Sequence, residues 1–428
     1  MQPSIRGAAI AAVCLTFASR TRSEERVPCS ARIDRATVAT CAVAASLAVQ
    51  AERHELDAVE GRKLSVSPLL PSNPVLSGYV ARRAFQDGTR ATNWQVTLAQ
   101  ELEIAGQRGA RRQTVDAEKS AQEMHVELVR RDVAAAAWVA FFDVVAAVEM
   151  EHLASSLVAT GEAVATAVRA RAEEGLIAPV DADVADAALL RLSQAKLTAS
   201  RQAFASRAAL QTLLGLEPDS APIAVDGKLD PLAGVETTAT TLLATVAAQS
   251  PEVRALDAER RSLELRADAL RRSRIPNPTI SAFVQNDGFN ERVLGIGLGL
   301  PIPIPGLVGR TYVGEIAEAE ARGRRAQTDR DWTARQVRLM ASIALNDVVT
   351  RRAEVDAFTP EKIARAEQTL KALAQEIAAG RMAVRDAVVT QQTMIELLQA
   401  HVAARRALCI ASVNLARTVG LPLDRGNL

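Results

Sequence analysis

From Pro74 to Arg83 apolar and polar positions alternate with a period of two. Leu76, Gly78 and Val80 fall on one face, and Val75, Ser77, Tyr79 and Ala81 on the other. Successive side chains of a strand point to opposite faces, so this spacing predicts a β-strand. Gln86-Asp87-Gly88-Thr89 is a turn signal. Trp94 to Ile104 then alternates again, with Trp94, Val96 and Leu98 opposed to Gln95, Thr97 and Ala99. The two stretches, about 74–104, predict a hairpin. A second hairpin is predicted over about 278–303. It holds a strand at Thr279–Gln285, a turn at Asn286-Asp287-Gly288, and a strict Gly/aliphatic alternation from Leu294 to Leu300. Such a strand has one bulky apolar face and one bare face.

Elsewhere the pattern is helical. Residues 33–68 place Ala, Val and Leu between charged positions until Pro68, Pro71 and Pro74 stop the helix. Residues 113–173 contain no Pro and no Gly except Gly161. With the first hairpin's helices at about 113–174 and 181–214, the chain turns back at Gly175–Pro179. The second long stretch, about 311–379, contains Pro360, which marks a kink or local break. It turns back at Gly380–Arg385 into a helix over 386–419. A polar linker is expected at 217–240, and a further helix at about 240–273.

These elements recur. Asn73-Pro74 returns as Asn277-Pro278, Gly175 with Asp181 returns as Gly380 with Asp386, and Leu214-Gly215-Leu216 is echoed by Val419-Gly420-Leu421. A period of about 200 residues is too long for a solenoid. It predicts a duplicated half-molecule, with one repeat over 33–216 and the other over 241–428.

Composition sharpens this picture. Hydrophobic residues make up 48% and aromatics only 3%, which suits long, closely packed helices. The net charge of +1 gives no electrostatic case for nucleic acid. Cys14, Cys29, Cys41 and Cys409 share no CxxC spacing, so neither a disulfide framework nor a zinc site is expected. No Ser/His/Asp set, carboxylate pair or phosphate loop follows from spacing, so no catalytic residue, cofactor or bound metal is expected. Arg6 followed by the mostly apolar Gly7–Ala18 has the shape of a secretory signal, and residues 1–32 are read as a signal or N-terminal leader segment. No stretch reads as a spanning helix. The best candidate, Val133–Val148, is interrupted by Asp143 and spans only about 24 Å.

A lone soluble hairpin with the bulky face of 294–300 would be sticky, whereas a closed barrel in lipid would accommodate it. Tyr79, Phe85, Trp94, Phe283 and Phe289, five of the thirteen aromatics, fall in or beside the strand pairs. They are candidates for the aromatic girdle of a membrane barrel, although aromatics favour any strand. Four strands cannot close a barrel, since bacterial barrels start at eight. Three copies would supply twelve, so oligomerisation is expected.

The order of strand hairpin, long helix, tip and return helix, given twice, resembles the TolC family of outer-membrane efflux proteins. Asn73-Pro74, Asn277-Pro278, the run Gln100–Arg108 and Leu300-Pro301-Ile302-Pro303 followed by Gly309-Arg310 are similar to the heavy-metal, cobalt-zinc-cadmium branch. The resemblance implies a mainly α fold with membrane β: a homotrimer with a twelve-stranded outer-membrane barrel and a periplasmic helical tunnel. It implies a periplasmic adaptor and an inner-membrane RND-type cation pump as partners, with no enzymatic chemistry and no cofactor.

The family's adaptor-contacting tips match Gly175 and Leu176, and Gly380 and Arg381. The second tip departs from the pattern, because Arg381 stands where the family has Leu. Asp386 matches an aspartate ring at the periplasmic mouth, while the second acidic position is Val389. Arg381 and Arg385 could pair with Asp181 as a gate. Helix capping also accounts for Asp181 and Asp386, and C-capping for Gly175 and Gly380. Two alternatives remain at this point: a duct for organic compounds, and a coiled-coil scaffold with no pore.

Overall fold

The computed structural model describes residues 32–86, 88–217, 223–287, 291–302, 304 and 311–424. The leader segment, Cys14, Cys29, Phe289 and Gly309-Arg310 lie outside the described residues. The chain begins with β1 (Arg32–Ile33), α1 (Val38–Ala45) and α2 (Leu47–Ser65). The first hairpin, β2 (Val75–Ala84) and β3 (Arg90–Glu101), leads into α3 (Gln107–Glu173) and the return helix α4 (Pro179–Leu213). Then come β4 (Ala224–Val225), α5 (Val235–Leu242), α6 (Val246–Gln249) and α7 (Pro251–Arg272). The second hairpin is β5 (Thr279–Asn286) and β6 (Arg292–Gly299). It is followed by α8 (Val313–Asp356), α9 (Pro360–Ala378) and α10 (Val384–Val419).

Prolines explain several helix starts. Pro179, Pro251 and Pro360 each occupy the first turn of their helix, where a missing N–H costs nothing. The expected interruption at Pro360 is therefore a full break between α8 and α9. The single helix expected at 240–273 is instead three, because Ser250 is extended and Pro251 restarts the chain. The expected polar linker is also not a free tether. Ile223, Leu229 and Leu232 are buried, Ile33 pairs with Val225 in a parallel bridge, and Arg35 donates to the Asp230 carbonyl at 3.0 Å.

α3 is 67 residues long, about 100 Å at 1.5 Å per residue. It holds an 18-residue window of mean hydropathy 1.8, long and apolar enough to cross a bilayer. That corrects the expectation of no such stretch, but 56% of the window is buried in the fold. Trp138, Phe141 and Phe142 are packed there with α1 and α10, and Trp138 donates its indole N–H to the Leu423 carbonyl at 3.0 Å. Asp143, the residue that interrupts the run, pairs with Arg406 of α10 at 2.7 Å. Arg417–Asp132 at 2.7 Å and Arg405–Glu149 at 2.8 Å continue the same seam. The apolar run is thus one face of a packed helix with an ion-paired flank.

Two cysteines depart from a uniform reading. Cys41 is disulfide-bonded, against the expectation of no disulfide. Cys409 is free and buried, and burial pushes its thiol up to about 12, so it behaves as a small core hydrophobe.

Candidate functional site

The four long strands form one antiparallel sheet in the order β2-β3-β5-β6. Its register sorts the side chains. Leu76 faces Leu98, Val96 faces Val284, Ala282 faces Ile296, and Ile280 faces Leu298. Trp94 shares this face, since Val80 pairs with Trp94. The face is apolar and bare: Leu294, Ile296 and Leu298 are 80%, 87% and 76% exposed. The opposite face carries Ser77, Thr97, Gln95, Ser281 and Gln285, together with the three strand glycines of β6. Gln95 donates to the Thr97 hydroxyl at 2.8 Å.

The glycines have a packing reason. Phe283 lies opposite Gly295, and a Cβ on that glycine would meet the Phe283 ring at 2.3 Å. The bare side of β6 is therefore where an aromatic ring from β5 lies flat on backbone.

This register redistributes the aromatics. Trp94 lies on the apolar face, while Tyr79 (opposite Gln95) and Phe283 (opposite Thr97) lie on the polar face. Phe85 sits in the first turn with the Arg83 guanidinium 5.7 Å over its ring. One girdle made of all these residues is not what the sheet builds, because strand parity splits them.

β2 and β6 are the sheet's outer strands, each hydrogen-bonded to one partner strand within the chain. The sheet is fixed to the helices through a buried amide. Gln107 at the start of α3 donates to the Asn277 side chain at 2.9 Å and to the Ile275 carbonyl at 3.2 Å. Asn277 in turn donates to Glu101 at 2.8 Å. The Asn277-Pro278 signature thus ties the end of β3 to the start of β5 and the root of α3. Gln107 lies within the Gln100–Arg108 run, but its partner Asn277 is 170 residues away and only the fold brings the two together.

The second part of the site is a pair of helical tips. α3 ends in a Schellman motif: Gly175 has φ 72°, its N–H reaches the Ala172 carbonyl at 3.0 Å, and the Leu176 N–H reaches the Arg171 carbonyl at 2.9 Å. α9 ends the same way. Gly380 has φ 70° and bonds to Ile377 at 2.9 Å, while Arg381 bonds to Glu376 at 3.0 Å. In such motifs a hydrophobic contact often accompanies these two backbone bonds. At the second tip the residues that exchange the outer bond instead carry charges, and Arg381 grips Glu376 with two bonds of 2.6 and 2.7 Å. Leu176 at the first tip is exposed.

The two tips are joined. The Arg171 guanidinium donates to the Ile377 carbonyl, so the end of α3 caps the last turn of α9. Ile177 and Met382 pack on one apolar cluster with Val168, Leu373 and Ile377.

The tips also revise the capping reading. The N-caps of α4 and α10 are Ala178 and Ala383, neither with a side-chain cap bond. Asp181 and Asp386 lie two residues inside their helices, in the first turn, where a carboxylate complements the macrodipole. Arg381 is engaged by Glu376 rather than by Asp181. Arg385 and Asp386 are exposed. Neither Arg385 nor Asp181 forms an ion pair among the described residues of this single chain.

The tip glycines differ in their surroundings, and this gives a prediction. A Cβ at Gly175 meets nothing within 4 Å, whereas one at Gly380 lies 2.9 Å from the Arg171 guanidinium. Both substitutions incur roughly 1–2 kcal/mol for a left-handed L-residue. Gly380→Ala is expected to cost more than Gly175→Ala, because it also displaces the Arg171 bond. Paired denaturant titrations check this, and equal midpoints would mean that Arg171 does not hold the tips together.

The ion pair gives a second prediction. Its hydrogen bond to Arg381 holds the Glu376 carboxyl below its usual range. A carboxylate whose folded pKa is depressed contributes stability above its unfolded value and loses it as pH falls through the folded one. The second tip is therefore expected to stay closed at neutral pH and to loosen only below the ordinary carboxylate range, about pH 4. Amide exchange at Arg381 and Met382, corrected for intrinsic rates, checks this. Glu376→Gln should abolish the pH step.

Residues 42–216 match the outer membrane efflux protein family model. The matched segment contains the first hairpin, α3, the first tip and α4. A membrane protein from Pseudomonas aeruginosa shares the fold with TM-score 0.74 and 17% identity, over 91% of each chain. The CusC channel structure superposes with TM-score 0.72 and 13% identity over 91% of this chain and 92% of its own. The outer membrane protein VceC of Vibrio cholerae gives TM-score 0.71 and 16% identity over 91% and 96%. No curated protein sequence matches the chain. The shared fold, covering 91% of the chain, therefore extends well beyond the matched segment.

Proposed function

We propose that this chain is the outer-membrane exit duct of a tripartite efflux system, and that its halves are duplicates. The observation that carries the reading is the four-stranded sheet, with one bare apolar face and single-partnered outer strands. In lipid every backbone polar group must be satisfied by closure. Three copies joining β6 to the β2 of a neighbour supply twelve strands, with the apolar face to lipid and the face of Ser77, Gln95 and Thr97 to the lumen. Trp94 then belongs to the lipid interface, with outer-membrane lipid as its surroundings.

A second feature supports self-association. Leu190, Leu197 and Phe204 of α4 recur every seven residues and are 61%, 71% and 69% exposed. A seven-residue apolar repeat is the seam of a helix that packs on another helix.

In this reading the long helices form a periplasmic tunnel and the joined tips meet a periplasmic adaptor. Gly175 with Leu176 presents an apolar surface to it, and Gly380 with Arg381 a charged one. Asp386 from three copies narrows the mouth and favours cations over anions. Asp181, Arg381 and Arg385 surround it as a gate that opens only when the Glu376–Arg381 pair yields. Export to the bacterial periplasm and outer membrane is proposed on the leader-like run Arg6–Ala18. The substrate is proposed to be a divalent heavy-metal cation delivered by an RND-type pump. That assignment rests on the Asn-Pro and Gln100–Arg108 resemblances. Conduction needs no resident metal, and among the described residues no group of three His, Cys, Asp or Glu could hold one.

The test joins location and substrate. Outer-membrane fractions should contain heat-resistant oligomers of the chain. A deletion strain should lose growth on graded cobalt, zinc, cadmium, nickel or copper and regain it with the wild-type gene. Sensitivity to organic compounds alone would keep the duct and discard the metal. A chain found only in the soluble fraction would discard the duct in favour of a scaffold.

A further inference from the structure

The strand register places three arginines on the same side of the sheet as the apolar band. Arg82 of β2 pairs with Thr92, Arg90 of β3 with Ala84, and Arg292 of β6 with Asn286. All are in parity with Leu76, Val80, Trp94, Val96, Leu294 and Ile296, and all lie at the turn end of their hairpins. The opposite end of this face carries no arginine: Gln100, Ile280 and Leu298 close it there. All three arginines are exposed. None forms an ion pair among the described residues. Arg83, the neighbour on the polar face, stacks on Phe85 and is not part of the set.

Height along the strand decides what these guanidinium groups meet. On each strand the outward apolar positions run over about five residues, or roughly 17 Å of strand. Hydrocarbon is about 25 Å tall around a barrel, and tilted strands traverse less height than their length. The whole of β2, ten residues, covers about 26 Å of height at a tilt of about 40°, so strand residues near the hairpin turn stand close to the edge of the hydrocarbon, and a long side chain snorkels from there into the headgroup layer. An arginine there is a planar fork that takes two oxygens of a phosphate at once. Three such forks on a lipid-facing side, none of them ion-paired among the described residues, form a surface whose complement is an anionic phosphate ester.

We propose that Arg82, Arg90 and Arg292 bind the phosphate groups of the outer leaflet's phosphorylated glycolipid, so that each copy of the chain carries a fixed lipid-binding crown at its outer rim. The proposal rests on the outer-membrane reading above. It adds a ligand and a site to that reading. The crown selects for phosphate on a lipid that is already two-dimensionally confined, and it orients the barrel by making the turn end the anionic-glycolipid end.

The experiment uses the full chain, reconstituted into vesicles of phosphatidylcholine doped with lipid A carrying both phosphates. Parallel vesicles carry lipid A with its phosphates removed, or phosphatidylglycerol at equal charge. After extraction, native mass spectrometry counts the lipids retained per oligomer. The wild type should retain bis-phosphorylated lipid A and shed the dephosphorylated form. The variant Arg82→Gln/Arg90→Gln/Arg292→Gln should insert and oligomerise like the wild type but bind it on the order of 100-fold more weakly, at roughly fivefold per arginine. A matched variant, Arg83→Gln, should retain lipid like the wild type. Equal retention by the triple variant, or equal retention of dephosphorylated lipid A, would overturn the crown while leaving the duct intact. Equal retention of phosphatidylglycerol would also overturn it, since the surface would then be a general anion belt. Failure of the wild-type chain to insert at all would overturn both readings together.

Discussion

Replacing Ile296 by arginine is expected to keep the chain out of the outer membrane. Ile296 is the most exposed residue of the apolar face and stands in its middle, opposite Ala282. A charged side chain at the midplane of a barrel's lipid face costs roughly 2–4 kcal/mol. In the proposed trimer the substitution is repeated in every copy, so the cost is multiplied by the symmetry that would close the barrel. Folding into vesicles, followed by the heat-modifiable oligomer on a gel, reads the effect directly. Thr97→Arg is the control. Its side chain points to the other face, toward Phe283 and Ser77, and should leave insertion near wild type. Equal loss in both variants would show that parity does not separate lipid from lumen. Equal tolerance would show that the face never meets lipid.

The second large effect is expected at Trp138. Its ring is 1% exposed, stacks on Phe142 at 5.7 Å, meets Phe141 edge-on at 5.9 Å and carries Arg35 at 5.7 Å from its centroid. Trp138→Ala removes all of this and orphans the Leu423 carbonyl, at about 3–5 kcal/mol for a buried aromatic. Trp332, exposed on α8, is the control, and its replacement should change stability within about 0.5 kcal/mol. Thermal unfolding followed by the remaining indole fluorescence compares the two. A Trp138→Ala midpoint close to wild type would mean that the α1–α3–α10 core is not the unit that melts.

The sequence pattern carried much of this architecture because two periods dominate it. The alternation at Leu76–Val80 and Leu294–Leu298 could only be read as strands with one bulky face, and the register kept that face intact. Helix ends at Gly175 and Gly380 were legible because a left-handed residue there demands glycine. Other features depended on partners distant in sequence. Arg171 reaches Ile377, and Gln107 reaches Asn277, across separations that no local pattern encodes.

Several expectations failed for local reasons. Tyr79 and Phe283 looked like companions of Trp94 by composition alone, yet their odd positions place them on the opposite face. Asp181 and Asp386 looked like caps because they follow a turn, but the helices start two residues earlier. Ser250, which is fully buried, and Pro251 split a stretch that looked continuous. Arg82, Arg90 and Arg292 fall in the same alternation as the band, and only the strand register places all three together at the hairpin turns.

The open edges of β2 and β6 have a genetic corollary. In the proposed closed ring each chain would complete its neighbour's sheet, so the unit that can fail would be the ring and not the polypeptide. A chain with sound helices and tips but a broken β6 edge would enter rings and leave each with a gap. Such an allele should be dominant, poisoning rings shared with wild-type chains. An allele that melts the Trp138 core should be recessive, because its product never reaches a ring.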